Sequence, residues 1–190
     1  MLLLVGLGNP GSNYTNTRHN IGFKIIDAIN AHFKLSKQKP KFKGLLTTGS
    51  IEEKKIYAIK PLTFMNNSGT AIKELIDYFK IDAKDVIVFH DDMDIDFGKV
   101  KAKFGGTSAG HNGIESIDKF IGKDYSRVRI GIGHPKHKKR VNNHVLEDFK
   151  EDEEEKIKEI TENIVKQIPT LIDKKIDLFS SKVNQNLNGI

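Results

Sequence analysis

An α/β fold is what this sequence predicts: a single domain over residues 1–190, with a mixed, twisted sheet flanked by helices. Three observations lead there. Leu2-Leu-Leu-Val5 is a short apolar run that gives way to a polar loop and then to a helix-period stripe. Val86-Ile-Val-Phe89 is continuously apolar, the pattern of a central strand covered on both faces. Strand-like and helix-like stretches alternate along most of the remaining chain.

The elements follow in order. After the first strand, Gly6 to Asn20 is a loop headed by Gly, Asn and Pro. Asn20 is placed to cap a helix running to Phe33, with Ile21, Ile25, Ile29 and Phe33 every fourth residue and Ile26 widening the stripe. Lys34 to Lys43, with Pro40, reads as a polar connection. Leu45–Ile51 and Lys55–Lys60 read as two strands joined by a turn at Glu52–Lys54. Pro61 to Ser68 is a loop. The next helix shows Ala71, Ile72, Leu75, Ile76 and Phe79 on one face.

Past the central strand, Lys99–Phe104 is a predicted strand and Gly105–Gly113 a Gly-rich loop. Asn112 and Glu115 have capping-box spacing before a helix with Ile114, Ile117 and Ile121 inward. Val128–Ile132 is a further strand and Gly133–Val145 a basic loop. A helical tail covers about 150–183: Ile157, Ile160, Ile164 and Ile168 share a face, Pro169 breaks it, and Ile172, Ile176, Phe179 and Val183 continue it. Asn184 to Ile190 reads as frayed.

The composition, 37% apolar and 29% charged, is that of an ordinary soluble chain. No apolar run is long enough to span a bilayer, and Leu2–Leu4 is too short for a secretory core, so a cytoplasmic location is expected. The absence of Cys excludes a disulfide framework, a thiolate nucleophile and a Cys-based metal site. The net charge of +6 is uneven: Glu147–Glu162 carries −6 and the rest of the chain +12. A basic body with an acidic stripe suits a polyanion docked on one face.

Gly6-x-Gly-x-x-Gly11 after a strand has the dinucleotide fingerprint's spacing, but a helix opening at Asn20 starts too late for its N-terminus to meet a pyrophosphate. His19, at the loop's end, can take a proton near neutral pH. Asp91 stands at the C-terminal end of the predicted central strand, the edge of an α/β sheet where ligands bind, and a carboxylate there can fix an imidazole's tautomer. His90, Asp92 and Asp94 compete with it, and alternation along a strand does not choose between Asp91 and Asp92. The His/Asp cluster lacks the spacing that puts two metal ligands on one helix face, and there is no Gly-x-Ser-x-Gly elbow. A His base would therefore act on water. Asn9, Asn66 and Asn112 offer amides that bind a polyanion's ester without repelling phosphate. Lys99, Lys101 and Lys103 alternate on one strand, and Arg127 and Arg129 on another, as phosphate ligands that read no sequence. Lys136, Lys138, Lys139 and Arg140 add a basic cluster. Tyr14 and Phe64 are loop aromatics able to stack a base.

These residues, in this order, resemble bacterial-type peptidyl-tRNA hydrolase. The matching stretches are GLGNPGSNYTNTRHNIGF (6–23), KPLTFMNNSG (60–69), HDDMDIDFGKVKAK (90–103), GHNGIESI (110–117), RVRIGIGHP (127–135) and VNNHVL (141–146), distributed in order over residues 6–146, about three quarters of the chain. The resemblance implies hydrolysis of the ester between an N-blocked peptide and the 3′ end of tRNA. It implies that His19 activates water, that Asp91 stabilises the proton-accepting state, and that Asn9 tells a blocked α-amine from a free one. Asn66 and Asn112 would hold the substrate and stabilise the reacting carbonyl, with His111 beside Asn112 also binding substrate. Tyr14, Phe64 and Met65 would line the groove near the tRNA 3′ end. Lys103 and Arg129 would clamp its terminal phosphate. The family works as a monomer with no metal, no cofactor and no obligate protein partner. The loop at Gly105-Gly-Thr-Ser-Ala-Gly110 is less glycine-rich than in many relatives. The acidic tail from Glu147 to Glu159 also departs from them, and its repulsion would steer tRNA to the opposite face. A non-catalytic RNA-binding module on the same fold and a nucleotide-cofactor enzyme are the other two readings.

Overall fold

The computed structural model describes residues 1–135 and 141–187. Seven strands form one sheet: β1 (Leu2–Gly6), β2 (Lys39–Lys41), β3 (Gly44–Ile51), β4 (Lys54–Pro61), β5 (Val86–Asp92), β6 (Val100–Phe104) and β7 (Ser126–Gly131), in spatial order β2-β3-β4-β1-β5-β7-β6. The inner strands β4, β1, β5 and β7 run parallel, while β2, β3 and β6 join antiparallel, so the sheet is mixed as predicted. All four parallel strands therefore end at the same edge, and β1 and β5 are neighbours there. That single fact of topology brings the loop after β1 to the end of β5.

The strand β5 is buried at every residue, which explains its unbroken apolar run. Its alternation sorts two cores: Ile87 and Phe89 face a layer built by α1 (Ile21–His32), α5 (Glu151–Lys166), α6 (Ile168–Ile172) and α7 (Ile176–Leu187). Val86 and Val88 face a layer built by α2 (Ser68–Phe79) and α3 (Asn112–Ile121). The apolar stripes anticipated on α1, α2 and α3 are the faces these helices bury. The helix α1 lies so close to the sheet that a Cβ on Gly22 would sit 2.3 Å from the Leu7 amide nitrogen and 2.5 Å from the Phe89 carbonyl oxygen. Only glycine permits that approach. A short helix α4 (Val141–Leu146) occupies part of the predicted basic loop. Lys136, Lys138, Lys139 and Arg140 lie outside the described residues. Among the described residues no helix is long and apolar enough to cross a membrane.

Five expectations are corrected. The stretch around Pro40 is an edge strand, β2, where a missing N–H faces outward at no cost to the ladder. Asn20 precedes α1, but its side chain makes no capping bond. The cap of α3 is His111 rather than Asn112: His111 Nδ1 accepts from the amides of Gly113 (3.1 Å) and Ile114 (3.3 Å). The stretch expected to fray is helical over 184–187, the last turn of α7, and 188–190 lie outside the described residues. Asn184 accepts from the Val100 amide through Oδ1 (3.0 Å) and donates to the Val100 carbonyl through Nδ2 (2.7 Å). Ser180 Oγ accepts from the Ala102 amide at 2.9 Å. Polar residues in an apolar helix face looked like fraying; they are substitutes for a neighbouring strand. The tail does break near Pro169, but at Gln167: Pro169 lies in the first turn of α6, and a second break at 173–175 separates Ile172 from Ile176, which were expected on one helix.

Asn184→Ala leaves both backbone groups of Val100 without this partner. Urea unfolding should show a loss of about 1–3 kcal/mol with an unchanged m-value, as for orphaned half-buried polar groups.

Candidate active site

The site is assembled from the loop after β1, the end of β5 and the start of α3. A 3₁₀ turn, Arg18–Asn20, carries His19 just ahead of α1. The imidazole Nδ1 lies 2.8 Å from Asp91 Oδ1, and both residues are buried, at 7% and 2% exposure. His111 Nε2 lies 3.0 Å from the same oxygen. Its other nitrogen is an acceptor for the α3 amides, so in the neutral ring the proton sits on Nε2 and points at Asp91. One carboxylate oxygen thus accepts two ring N–H groups. Asp91 keeps its charge: burial raises its pKa, but His19 and His111 together hold it well below the ordinary carboxylate value. Burial lowers the His19 pKa, and the charge and hydrogen bond of Asp91 more than reverse that, leaving it above 6.5. His19 Nε2 makes no hydrogen bond among the described residues and is the atom left to receive a proton.

The competing candidates resolve by position. His90 is buried behind His111, their ring centroids 4.9 Å apart, and its Nδ1–H donates to the Asp91 carbonyl. Burial, then the neighbouring His111, holds its pKa well below 6.5. Asp92 accepts Arg129 Nε at 2.8 Å and caps the turn at the Asp94 amide. Asp94 pairs with His134 at the exposed rim.

Asn9 is the hub of the loops. Its amide donates to Asn20 Oδ1 (2.8 Å), its carbonyl accepts from Asn20 Nδ2 (3.0 Å), and its own Oδ1 accepts from the Met65 amide (2.8 Å). Asn20 therefore ties the first loop to itself instead of capping α1. Met65 is buried, whereas Tyr14 is half-buried and Phe64 and Asn66 are exposed on the adjoining loops. Asn112 is exposed and lines the cleft with His19, Asp91 and His111. That cleft holds about 70 Å³, room for water at the imidazole but not for a nucleotide, so a large substrate lies mostly outside it.

The cations separate into two kinds. Arg127 is buried and bonded to Asp118 (2.8 Å) and to the Thr107 carbonyl (2.7 Å), so it tethers the Gly105 loop and is not a free phosphate ligand as the strand pattern suggested. Arg129 is bound to Asp92 through Nε. Lys103 is on the same face, and burial with the charges of Arg129 and Arg127 lowers its pKa. Unbalanced positive charge at Lys103 and Arg129 suits an anion.

Two arrangements went unread in the sequence. Arg18 is buried and paired with Glu153 at 2.8 Å and, more loosely, Glu147 at 3.6 Å, so part of the acidic tail buttresses the turn that carries His19. The dual use of His111 as cap and donor has no signature beyond its place before a helix. Among the described residues His19, Asp91 and His111 also form the one group dense enough for a metal ion. The capping bonds keep the proton of neutral His111 on the nitrogen that a metal would need bare, and this favours a proton site.

The sequence profile of a family described as Peptidyl-tRNA hydrolase matches residues 3–189. The Peptidyl-tRNA hydrolase of Pelagibacter ubique (strain HTCC1062) is 73% identical over 97% of this chain and 99% of its own. That of Bartonella henselae (strain ATCC 49882 / DSM 28221 / CCUG 30454 / Houston 1) is 46% identical over 100% of this chain and 98% of its own. A crystal structure of peptidyl-tRNA hydrolase from Acinetobacter baumannii superposes with a TM-score of 0.91 at 34% identity, covering 97% of this chain and 94% of that one.

An NMR titration of the His19 ring should show a midpoint above 6.5. Asp91→Asn should lower it, because the stabilising charge is gone. His111→Asn, which keeps a helix-capping side chain, should raise it further, because Asp91 then gives its charge to His19 alone. Protonation of His19 is favoured by folding, so this pair adds stability below the unfolded pKa and loses it as pH rises through the folded one.

Proposed function

This chain belongs to the peptidyl-tRNA hydrolase family and hydrolyses the ester between a peptide and tRNA, and from that premise we propose that His19 is its general base. The observation that carries the reading is the 2.8 Å contact of Nδ1 with Asp91, which leaves Nε2 free to act. Water attacks the ester carbonyl as Nε2 takes its proton. The new C–O bond forms while the carbonyl π electrons move to oxygen. Asp91, already ionised, stabilises the imidazolium. Collapse of the tetrahedral species breaks the bond to the ribose oxygen, which takes the proton back from His19, and free tRNA and peptide leave.

The amides of Asn66 and Asn112 hold the substrate and stabilise the oxyanion. Asn9, fixed by Asn20, tells the N-blocked residue from a free amine. Tyr14 and Phe64 face the tRNA 3′ end, while the buried Met65 serves the groove through its backbone amide, which fixes Asn9, and Lys103 and Arg129 take the terminal phosphate. His111 orients Asp91 beside Asn112. The scheme uses water as nucleophile and calls for no cofactor and no covalent intermediate. The protein acts in the cytoplasm as a monomer, without an obligate protein partner.

The test is release of free tRNA from N-acetylated and from free aminoacyl-tRNA. The acetylated substrate should be strongly preferred. His19→Ala should lose roughly 10²–10⁴-fold in turnover, the range of general-base catalysis, while tRNA binding holds. Near-normal turnover of that variant rejects the role.

A further inference from the structure

Asp91 fixes the His19 ring from one side, and the turn that carries the ring is fixed from the other. Residues 16–18 run antiparallel to 147–149, with a bridge between Thr17 and Asp148. The Arg18 amide donates to the Glu147 carbonyl at 3.0 Å, and the Phe149 amide donates to the Asn16 carbonyl at 3.3 Å. The Arg18 side chain, only 3% exposed, extends this contact. Its Nη1 donates to the carbonyls of His144 (3.2 Å) and Glu147 (3.4 Å), and its Nη2 donates to Glu153 Oε2 at 2.8 Å. The guanidinium carbon lies 5.6 Å from the Phe149 ring centroid. The same Glu153 oxygen accepts the Lys150 amide at 2.9 Å, within the capping box of α5. One planar group thereby joins the turn bearing His19, the end of α4 and the first turn of α5. The helix α4 is itself part of the site, since Asn142 and Val145 line the cleft with His19 and Asp91.

Resting on the reading of His19 as general base, we propose that Arg18 is a positioning residue for the reaction. It fixes the base relative to the α4 wall of the cleft and keeps the imidazole within reach of Asp91. Stability alone accounts poorly for this cation. A buried ion pair often stabilises no more than apolar side chains of the same volume, and the Phe149 ring already offers such a side chain a packing surface. Apolar packing does not supply direction. A planar fork bonded to two carbonyls and a carboxylate has one orientation, and the next residue in the chain is the base. Arg18 is not among the residues lining the cleft, so it acts through His19 and α4 and not on the substrate.

The test compares the wild-type protein with Arg18→Lys and Arg18→Met. Lysine keeps a charge for Glu153, but its compact ammonium does not span the carboxylate and both carbonyls. Methionine keeps much of the length and no donor. In the folded variants kcat for N-acetyl-aminoacyl-tRNA should fall about tenfold in Arg18→Lys and about 10²-fold in Arg18→Met, the scale on which a small misplacement slows a reaction. KM and the binding of deacylated tRNA should hold. The NMR midpoint of His19 should move down towards 6.5 in both. Its sign separates two causes: losing a nearby positive charge would by itself raise the midpoint, so a fall reports a looser contact with Asp91. Wild-type kcat and midpoint in either folded variant, with only a lower melting temperature, overturn the proposal and leave Arg18 a structural brace. A raised KM at unchanged kcat overturns it too and assigns Arg18 to substrate docking. If Arg18→Met does not fold, Arg18→Lys, which keeps the charge pair, decides by the same readouts. Near-normal turnover of His19→Ala would instead strike at the catalytic reading on which this one rests.

Discussion

Two ring nitrogens from distant parts of the chain meet on one carboxylate oxygen, and the arrangement of the whole cleft follows from keeping them there. Asp91 is buried at the end of β5, at the floor of the cleft, and its charge is held there by the ring N–H groups of His19 and His111. Each partner is held by a different layer of the molecule. His19 comes with the turn ahead of α1, and α1 rests against the sheet backbone through Gly22. His111 comes with the N-terminus of α3, whose first amides lock its tautomer. The carboxylate is thus a clamp between the two helical layers. A shift of either layer reaches the imidazole as a change in its hydrogen bond.

The basic face shows how burial decides what a cation can do. Arg127 and Arg129 are two residues apart on β7 and share a face with Lys103. Arg127 lies under the Gly105 loop, and Asp118 neutralises it there. Arg129 and Lys103 are both half-buried, and the single carboxylate of Asp92 offsets only part of their charge. The same residue type two positions along a strand therefore holds a loop in one case and stays partly open to solvent in the other. The Gly105 loop, tied to the sheet through the Thr107 carbonyl, adopts left-handed backbone at Gly105, Gly106, Ala109 and Gly110, where glycine is the undemanding residue and Ala109 the exception.

Much of the fold could be read before any coordinates. Continuous burial of β5 and the four-residue spacing on α1 leave a direct trace in residue order, because burial selects apolar side chains at the period of the element. The pairing of His19 with a carboxylate at the end of β5 followed from where ligands bind on such sheets. Asp91 could not be told from Asp92, since both ends of the alternation are buried here and each carboxylate has a basic partner. The capping role given to Asn20, the cap given to Asn112 instead of His111, and the fraying expected at Asn184 share one reason. A polar side chain near a helix end bonds locally in most proteins, whereas Asn20, His111 and Asn184 bond to residues far along the chain or do so in addition. Residue order records the local option and carries no mark of the distant one. The pair of buried Arg18 with half-buried Glu153 is hidden in the same way, 135 positions apart.

The outer side of β6 has a consequence for how these molecules behave at high concentration. Ser180 and Asn184 occupy the hydrogen-bonding positions that another chain's strand would use, and the opposite margin of the sheet is a three-residue strand with a proline between two lysines. Neither border offers a free ladder for strand addition. A seven-stranded sheet with both borders closed in this way resists growing into a continuous intermolecular sheet, so crowded copies of this protein would have to partly unfold α7 before aggregating through their strands.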